Sequence, residues 1–371
     1  MDLSLYPDNP YLLLTPGPLS TSKAVKAAML RDWCTWDADY NALVSDLRRR
    51  LAAMASARPD YTAVLMQGSG TFCVEAALGS LIAPGGRLLV LANGAYGARI
   101  AAIARVLGIA VLEEDFGETS PVSPERTAAL LTEHPDISHV AVVHCETTTG
   151  MLNPVDRIGA VVRAAGRVFM VDAMSSFGGI PLDMAAIGAD VLVSSANKCI
   201  QGVPGFGFVL VRRTLIAGCA GQARSVSLDL YSQWKTMEDG GGKWRFTSPT
   251  HVVRAFAAAM DELAAEGGVA ARSVRYSRNQ ARLVAGMADL GFSALLPRAL
   301  QSPIITAFIS PDHRAYAFAD FYARLKDRGF VIYPGKVTAA DTFRIGTIGE
   351  VYPADVDRLL IAVAACRYWE S

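Results

Sequence analysis

Between residues 62 and 211 the chain alternates short, unbroken apolar runs with stretches of helical periodicity, and nothing else in it restricts the fold as much. The runs are Ala63–Met66, Arg87–Leu91, Ile109–Glu113, His139–Val143, Val168–Val171, Val191–Ser194 and Gly207–Val211. Between most of them lie the patterns Phe72–Ile82, Ala98–Leu107, Pro124–Glu133 and Val155–Ala165. A strand that is apolar at successive positions is buried on both faces, which requires helices on either side and a largely parallel sheet. The expectation is an α/β unit with a mainly parallel, seven-stranded sheet. Beyond about Leu215 the pattern changes. Helical periodicity fills Leu228 to Asp289, broken at Asp239-Gly-Gly-Gly242. Short strands (Ile304–Phe308, Phe330–Tyr333, Phe343–Ile345) and helices (Ala315–Arg328, Ala354–Tyr368) follow, which predict a smaller α+β domain. The expected division is an N-terminal arm over 1–20, a large domain over 21–250 and a small domain over 251–371. Leu14-Thr-Pro-Gly-Pro18 cannot be a regular element, because two prolines remove backbone donors.

Composition narrows the function classes. The 35 basic and 35 acidic residues cancel and form no block, so a nucleic-acid-binding stripe is absent. With 51% hydrophobic residues the chain is not disordered. The apolar runs are too short to span a bilayer, and Met1–Pro10 carries no basic, then apolar, leader pattern. The six cysteines form no C-x-x-C pair, which predicts reduced thiols, a cytoplasmic location and no disulfide framework. The five histidines fall in no metal-binding spacing, so no metal site is expected.

Four features carry chemistry. Gln67-Gly-Ser-Gly-Thr71 follows a strand and opens a helix. That geometry gathers free backbone N–H groups and a positive helix end, an anion cradle to which Ser69 and Thr71 add hydroxyls. It lacks the third glycine of a dinucleotide fingerprint and the G-K-[ST] of a nucleoside-triphosphate loop; a plain tight turn is the alternative. Asp172 ends the apolar run Val168–Val171, where a parallel sheet faces its ligand crevice; a helix cap is the alternative. Lys198 follows Val191-Leu-Val-Ser-Ser-Ala-Asn197 and precedes a glycine-rich stretch to Gly207. A desolvated lysine there becomes a nucleophile, and a lysine with a strand-end aspartate is the pair found at pyridoxal phosphate sites. Arg344, in Asp341-Thr-Phe-Arg344-Ile-Gly-Thr-Ile-Gly349, suits bidentate capture of a carboxylate or phosphonate. A phosphate cradle, an aspartate, a lysine and a late arginine, in that order, supply the contacts that such a cofactor and its substrate need.

In order and wording these motifs resemble the fold-type I pyridoxal-phosphate enzymes of the class V aminotransferase family. The resemblance covers essentially the whole chain. It rests on Leu14-Thr-Pro-Gly-Pro18, His144-Cys-Glu-Thr-Thr-Thr-Gly150, Val171-Asp-Ala-Met-Ser-Ser176, Ser195–Phe208 and Phe246-Thr-Ser-Pro-Thr-His251. The last two stretches are most similar to members that act on 2-aminoethylphosphonate and pyruvate. The resemblance implies pyridoxal 5′-phosphate as a Schiff base on Lys198, with Asp172 on the ring nitrogen. It implies Ser69, Gly70 and Thr71 at the phosphate, Tyr96 stacked on the ring, Thr147 near the phenolic oxygen and Asn197 beside the lysine. Trp244 and Thr247 would reach the phosphate of a partner subunit, which makes the expected assembly a homodimer with shared sites. Relatives often carry tyrosine where Trp244 stands. Arg344 would bind the substrate anion, and Gly17 would lie in the arm closing that pocket. The implied reaction is transamination of 2-aminoethylphosphonate with pyruvate; alanine:glyoxylate or serine:pyruvate transamination is the alternative within the family. A desulfurase would need a cysteine in a late loop, and none lies between Cys219 and Cys366. A non-enzymatic descendant of the fold would not keep Lys198, Asp172, Ser69 and Arg344 together. Cys199 reads as a buried thiol, and Trp33 and Trp36 as packing or interface aromatics.

Overall fold

The computed structural model describes residues 2–370, the side chain of Glu370 excepted. All seven expected strands form one sheet: β1 (Tyr61–Gly68), β2 (Arg87–Ala92), β3 (Ala110–Asp115), β4 (Ile137–Val143), β5 (Val168–Asp172), β6 (Val191–Ser195) and β7 (Gly205–Arg212). Their order is β1-β7-β6-β5-β4-β2-β3. Only β7 runs antiparallel to its neighbours, β1 and β6. The other adjacent pairs are parallel, so six strands end on the same edge. The central strands are buried at nearly every position, as their unbroken apolar runs require. At about 1.5–3 kcal/mol per fully buried aliphatic side chain, this double-faced core is the main stabilising term of the large unit.

Helix α1 (Gly70–Leu81) follows β1, and helix α2 (Ala95–Val106) follows β2. Small residues on α1, Ala76 and Ala77, are fully buried and let it lie close against the sheet. The expected boundary at 250/251 falls at the start of helix α3 (Thr250–Ala265). Val253, Phe256 and Leu263 of that helix belong to the large core, so by packing the large unit extends to about residue 265.

The small unit has its own core, built on Leu283, Phe308, Phe321, Phe343 and Leu359. Its sheet consists of β8 (Ile305–Ile309), β9 (Tyr333–Pro334) and β10 (Thr342–Gly346), with β10 central and antiparallel to both. The helix expected over Ala315–Arg328 spans Phe318–Lys326. A turn precedes it, in which His313 accepts from the Tyr316 N–H through its carbonyl and from the Ala315 N–H through Nδ1. The strand expected over Phe330–Tyr333 divides in two. Phe330–Val331 pairs with Leu12–Leu13 of the arm, and only Tyr333 onward joins β10. The arm is thereby tied to the small unit: Leu14 accepts from the Gly346 N–H and donates to the Val331 carbonyl. This carries Thr15–Pro18 across the edge of the large sheet.

Candidate active site

Four strand ends build the cleft. β1 ends at Gly68 and Ser69 is the N-cap of α1, so Ser69, Gly70 and Thr71 stand at the helix start and line one space. β2 leads through Gly94 to Tyr96 at the start of α2. β5 ends in Asp172, and β6 in the turn that carries Asn197 and Lys198. Ser69, Gly70, Thr71, Tyr96, Asp172, Asn197 and Lys198 line a single cavity of about 190 Å³, together with Arg99 and Met174.

Asp172 is buried. Its Oδ1 accepts from the Met174 N–H at 2.9 Å, and its Oδ2 has no hydrogen-bond partner among the described residues. Desolvation outweighs that bond, and the negative charge of Glu146 adds to it, so the carboxyl is raised to about 6. A carboxylate oxygen open to the cavity, on an otherwise buried residue, fits a cationic ring nitrogen. Lys198 Nζ donates to the carbonyls of Pro16 (3.0 Å) and Gly17 (3.2 Å), both in the arm. Burial holds its amine below the ordinary lysine range, against the opposing pull of Tyr96 and Asp172. Gly17 has φ of 109°, and a Cβ there would lie 2.8 Å from Lys198 Nζ, so only glycine lets the arm approach so closely.

Arg344 reaches the cleft from β10 of the small unit. Its Nε donates to the Pro334 carbonyl (3.0 Å) and its Nη1 to the Thr147 carbonyl (2.7 Å). The second terminal nitrogen, Nη2, has no protein partner among the described residues. Thr147 is buried, with its side chain near the Tyr96 phenol. Burial works to raise that phenol, but the Thr147 side chain and the charges of Lys336, Lys198 and Arg344 prevail and lower it. Asn197 Oδ1 accepts from the Ser195 hydroxyl at 2.9 Å, which fixes its side chain at the mouth of the lysine turn.

Trp244 and Thr247 do not enter the cleft of their own chain. Trp244 packs edge-on against Phe206, and Trp244 and Thr247 line a separate, largely apolar groove with Gly68, Phe72 and Phe246. Cys199 is a buried thiol, raised to about 12 by desolvation, with its Sγ donating to the Ser175 carbonyl. No group of residues suited to a metal occurs among the described residues, and no helix is long and apolar enough to cross a membrane.

Sequence reasoning missed Glu146. It is fully buried at the start of α2, accepts from the N–H groups of Tyr96 (3.2 Å) and Gly97 (3.4 Å), and is capped by the Thr148 N–H and hydroxyl. It thus clamps the backbone that carries Tyr96. The signal was an acid inside Cys-Glu-Thr-Thr-Thr, a polar run too buried for a loop. Arg99, also missed, stacks over Tyr96 at 4.9 Å.

The family model described as aminotransferase class-V matches residues 20–359. The chain belongs to the class V aminotransferase family. It is 64% identical to the 2-aminoethylphosphonate–pyruvate transaminase of Syntrophobacter fumaroxidans over 96% of both chains. It is 59% identical to the Vibrio cholerae enzyme of that name, over 98% of this chain and 99% of the other. Among solved structures, the pyridoxamine–pyruvate aminotransferase of Mesorhizobium loti superposes with a TM-score of 0.88 at 27% identity, covering 97% of this chain and 93% of its own. Alanine–glyoxylate aminotransferase from Nostoc sp. shares the fold with a TM-score of 0.89 at 24% identity, covering 99% and 97%. The chain is therefore an aminotransferase, and pyridoxal 5′-phosphate is its cofactor. The donor set fits that cofactor at each end: hydroxyls and helix N–H groups for the phosphate, the free Asp172 oxygen for the ring nitrogen, and the Lys198 amine for the aldehyde.

Proposed function

We propose that the enzyme transfers the amino group of 2-aminoethylphosphonate to pyruvate, giving phosphonoacetaldehyde and L-alanine. The observation that carries the reading is the 64% identity, over nearly the whole of both chains, to a relative of that activity. The cleft supports it with a buried arginine whose Nη2 is left open for a substrate anion.

Pyridoxal phosphate supplies an electron sink that acidifies the C–H bond beside the substrate nitrogen. The protein does the rest. Ser69, Gly70 and Thr71 hold the phosphate at the start of α1. Asp172 keeps the ring nitrogen protonated. Tyr96, on a backbone fixed by Glu146, would cover the ring, and Thr147 and Asn197 would stand beside it. Lys198, as a free amine beside the substrate carbon, would take its proton and return it as general base and acid; burial favours the neutral form for that task. Arg344 and the Gly17 turn orient the anionic end. The aldehyde leaves before pyruvate enters, which gives ping-pong kinetics.

The assembly proposed is a cytoplasmic homodimer in which Trp244 and Thr247 approach the partner's cofactor phosphate. Phe72 and Phe246, each about half exposed beside the groove that Trp244 and Thr247 line, offer the apolar surface for it. The test of function is spectral. 2-Aminoethylphosphonate, without keto acid, is added to the cofactor-loaded protein, with L-serine, glycine and L-alanine in parallel. Loss of the yellow band with the phosphonate and its recovery with pyruvate support the reading. Response to a control amino acid but not to the phosphonate overturns the substrate and leaves the transamination chemistry intact.

A further inference from the structure

Arg344 alone is poorly matched to a phosphonate. Two of its five N–H donors are engaged by the carbonyls of Pro334 and Thr147, which leaves one on Nη1, both on Nη2 and a single positive charge for the substrate. In charge and in donors that matches a carboxylate. A phosphonate presents three oxygens and, like a phosphate monoester, up to about two negative charges. The remaining cations of the cleft are committed elsewhere. Lys198 is the reacting amine, and Arg99 lines the cofactor end beside Ser69 and Thr71.

One cation is uncommitted. Lys336 lies in the turn between β9 and β10, the two strands that frame Arg344; Tyr333 is the register partner of Arg344. Its Nζ sits 4.3 Å from the centre of the Tyr96 ring, half-buried, and pairs with no carboxylate among the described residues. The nearby acids are occupied. Glu118 accepts from the Thr338 N–H (2.8 Å) and hydroxyl (3.0 Å), which pins the far side of the same turn to the large unit. Glu146 is spent on the N–H groups of Tyr96 and Gly97. Gly335 shows that the placement is built. A Cβ there would lie 2.1 Å from the Thr342 carbonyl oxygen, so only glycine allows the turn to press against β10. Arg344 and Lys336 thus converge on Tyr96, one through Thr147 and the other over the ring.

We propose that Lys336 is the second cation of the substrate-anion site and that, with Arg344, it selects a phosphonate over a carboxylate. The inference rests on the 2-aminoethylphosphonate reading above and deepens it. In the half-reaction with the phosphonate, Lys336 meets the oxygens Arg344 leaves unbound. In the half-reaction with pyruvate or alanine, Arg344 suffices and Lys336 stays over Tyr96.

Two unreactive probes of equal chain length separate the anions: ethylphosphonate and propionate. Their binding to the cofactor-loaded enzyme is measured by calorimetry in wild type, Lys336→Gln and Lys336→Arg. Loss of one charge-assisted contact predicts weaker ethylphosphonate binding by roughly 10- to 100-fold in Lys336→Gln. Propionate binding is expected to stay within about two-fold, and Lys336→Arg to restore most of the phosphonate affinity. The half-saturating concentrations of 2-aminoethylphosphonate and L-alanine for loss of the yellow band should divide in the same way. Equal weakening of both anions, no change in either, or no preference for ethylphosphonate in wild type each overturns the assignment. If wild type binds ethylphosphonate with the expected dependence on Lys336 but does not convert 2-aminoethylphosphonate, the anion site stands and the substrate reading falls.

Discussion

Replacing Asp172 by asparagine keeps the shape of the side chain and removes its charge. In the cofactor-free protein, desolvation raises this carboxyl from 3.8 to about 6, against the Met174 N–H bond and with Glu146 adding to the rise. At about 1.36 kcal/mol per pKa unit, holding the charged form in the cleft costs the fold about 3 kcal/mol. The sign follows from the two states. Below about pH 4 the carboxyl is neutral both folded and unfolded, and the penalty vanishes. Between pH 4 and 6 the unfolded chain ionises first, and folding stability falls. Above pH 6 the full penalty applies. Cofactor-free Asp172→Asn should therefore be more stable than wild type by about 1–3 kcal/mol at pH 8, the lower figure allowing for the unpaired amide hydrogens. The two should converge near pH 4. Buried His139 and His144 also titrate with folding, both lowered to about 4 by desolvation, but they are common to both proteins and cancel in the difference. Urea denaturation at pH 4.5 and pH 8 reads the effect. Adding the cofactor should reverse the order, because the ring nitrogen gives wild type a partner that the amide cannot replace, and the amino-transfer half-reaction of the variant should fall by at least about 100-fold. At pH 4.5 about a third of the penalty should remain, so an asparagine variant no more stable than wild type at pH 8, or a difference as large at pH 4.5 as at pH 8, would refute the burial argument.

Gly17→Ala places a Cβ 2.7 Å from Lys198 Cδ at a backbone φ of 109°, so it should displace the lysine and slow the half-reaction by about 100-fold while the fold survives; stopped-flow decay of the yellow band measures it. Glu146→Gln turns a donor toward the Tyr96 and Gly97 N–H groups; a loss of about 1–3 kcal/mol in denaturation and an altered cofactor absorbance are expected, and an unchanged spectrum would show that the clamp does not reach the ring. Arg344→Lys cannot reach the Pro334 and Thr147 carbonyls and the substrate together, so half-saturation by both 2-aminoethylphosphonate and L-alanine should rise by roughly 10- to 100-fold, unlike the selective effect expected at Lys336.

Much of the large unit is local information. A strand such as Leu88–Leu91 is apolar at each position because both faces are covered, and that pattern is visible without knowing what covers it. Ser69, Asp172 and Lys198 sit at strand ends for the same reason: the strands end where the apolar runs end, and in a parallel sheet those ends share an edge. The lysine, the aspartate and the phosphate cradle could thus be placed together from sequence periodicity and composition alone.

Contacts between distant segments could not. The division at residue 250 misplaces helix α3 because its amphipathic pattern states that one face is buried, not against which core. Leu12 and Leu13 are apolar in any reading, but only folding pairs them with Phe330 and Val331 and so lays Pro16 and Gly17 over Lys198. Glu146 and Lys336 show the limit most plainly. An acid and a base in polar stretches read as solvated, and each gains its meaning from Tyr96, 50 residues from one and 240 from the other. Burial and charge are collective properties of the packed chain: local pattern names the side chains that can react, and packing sets which charges surround them and what those charges are free to bind.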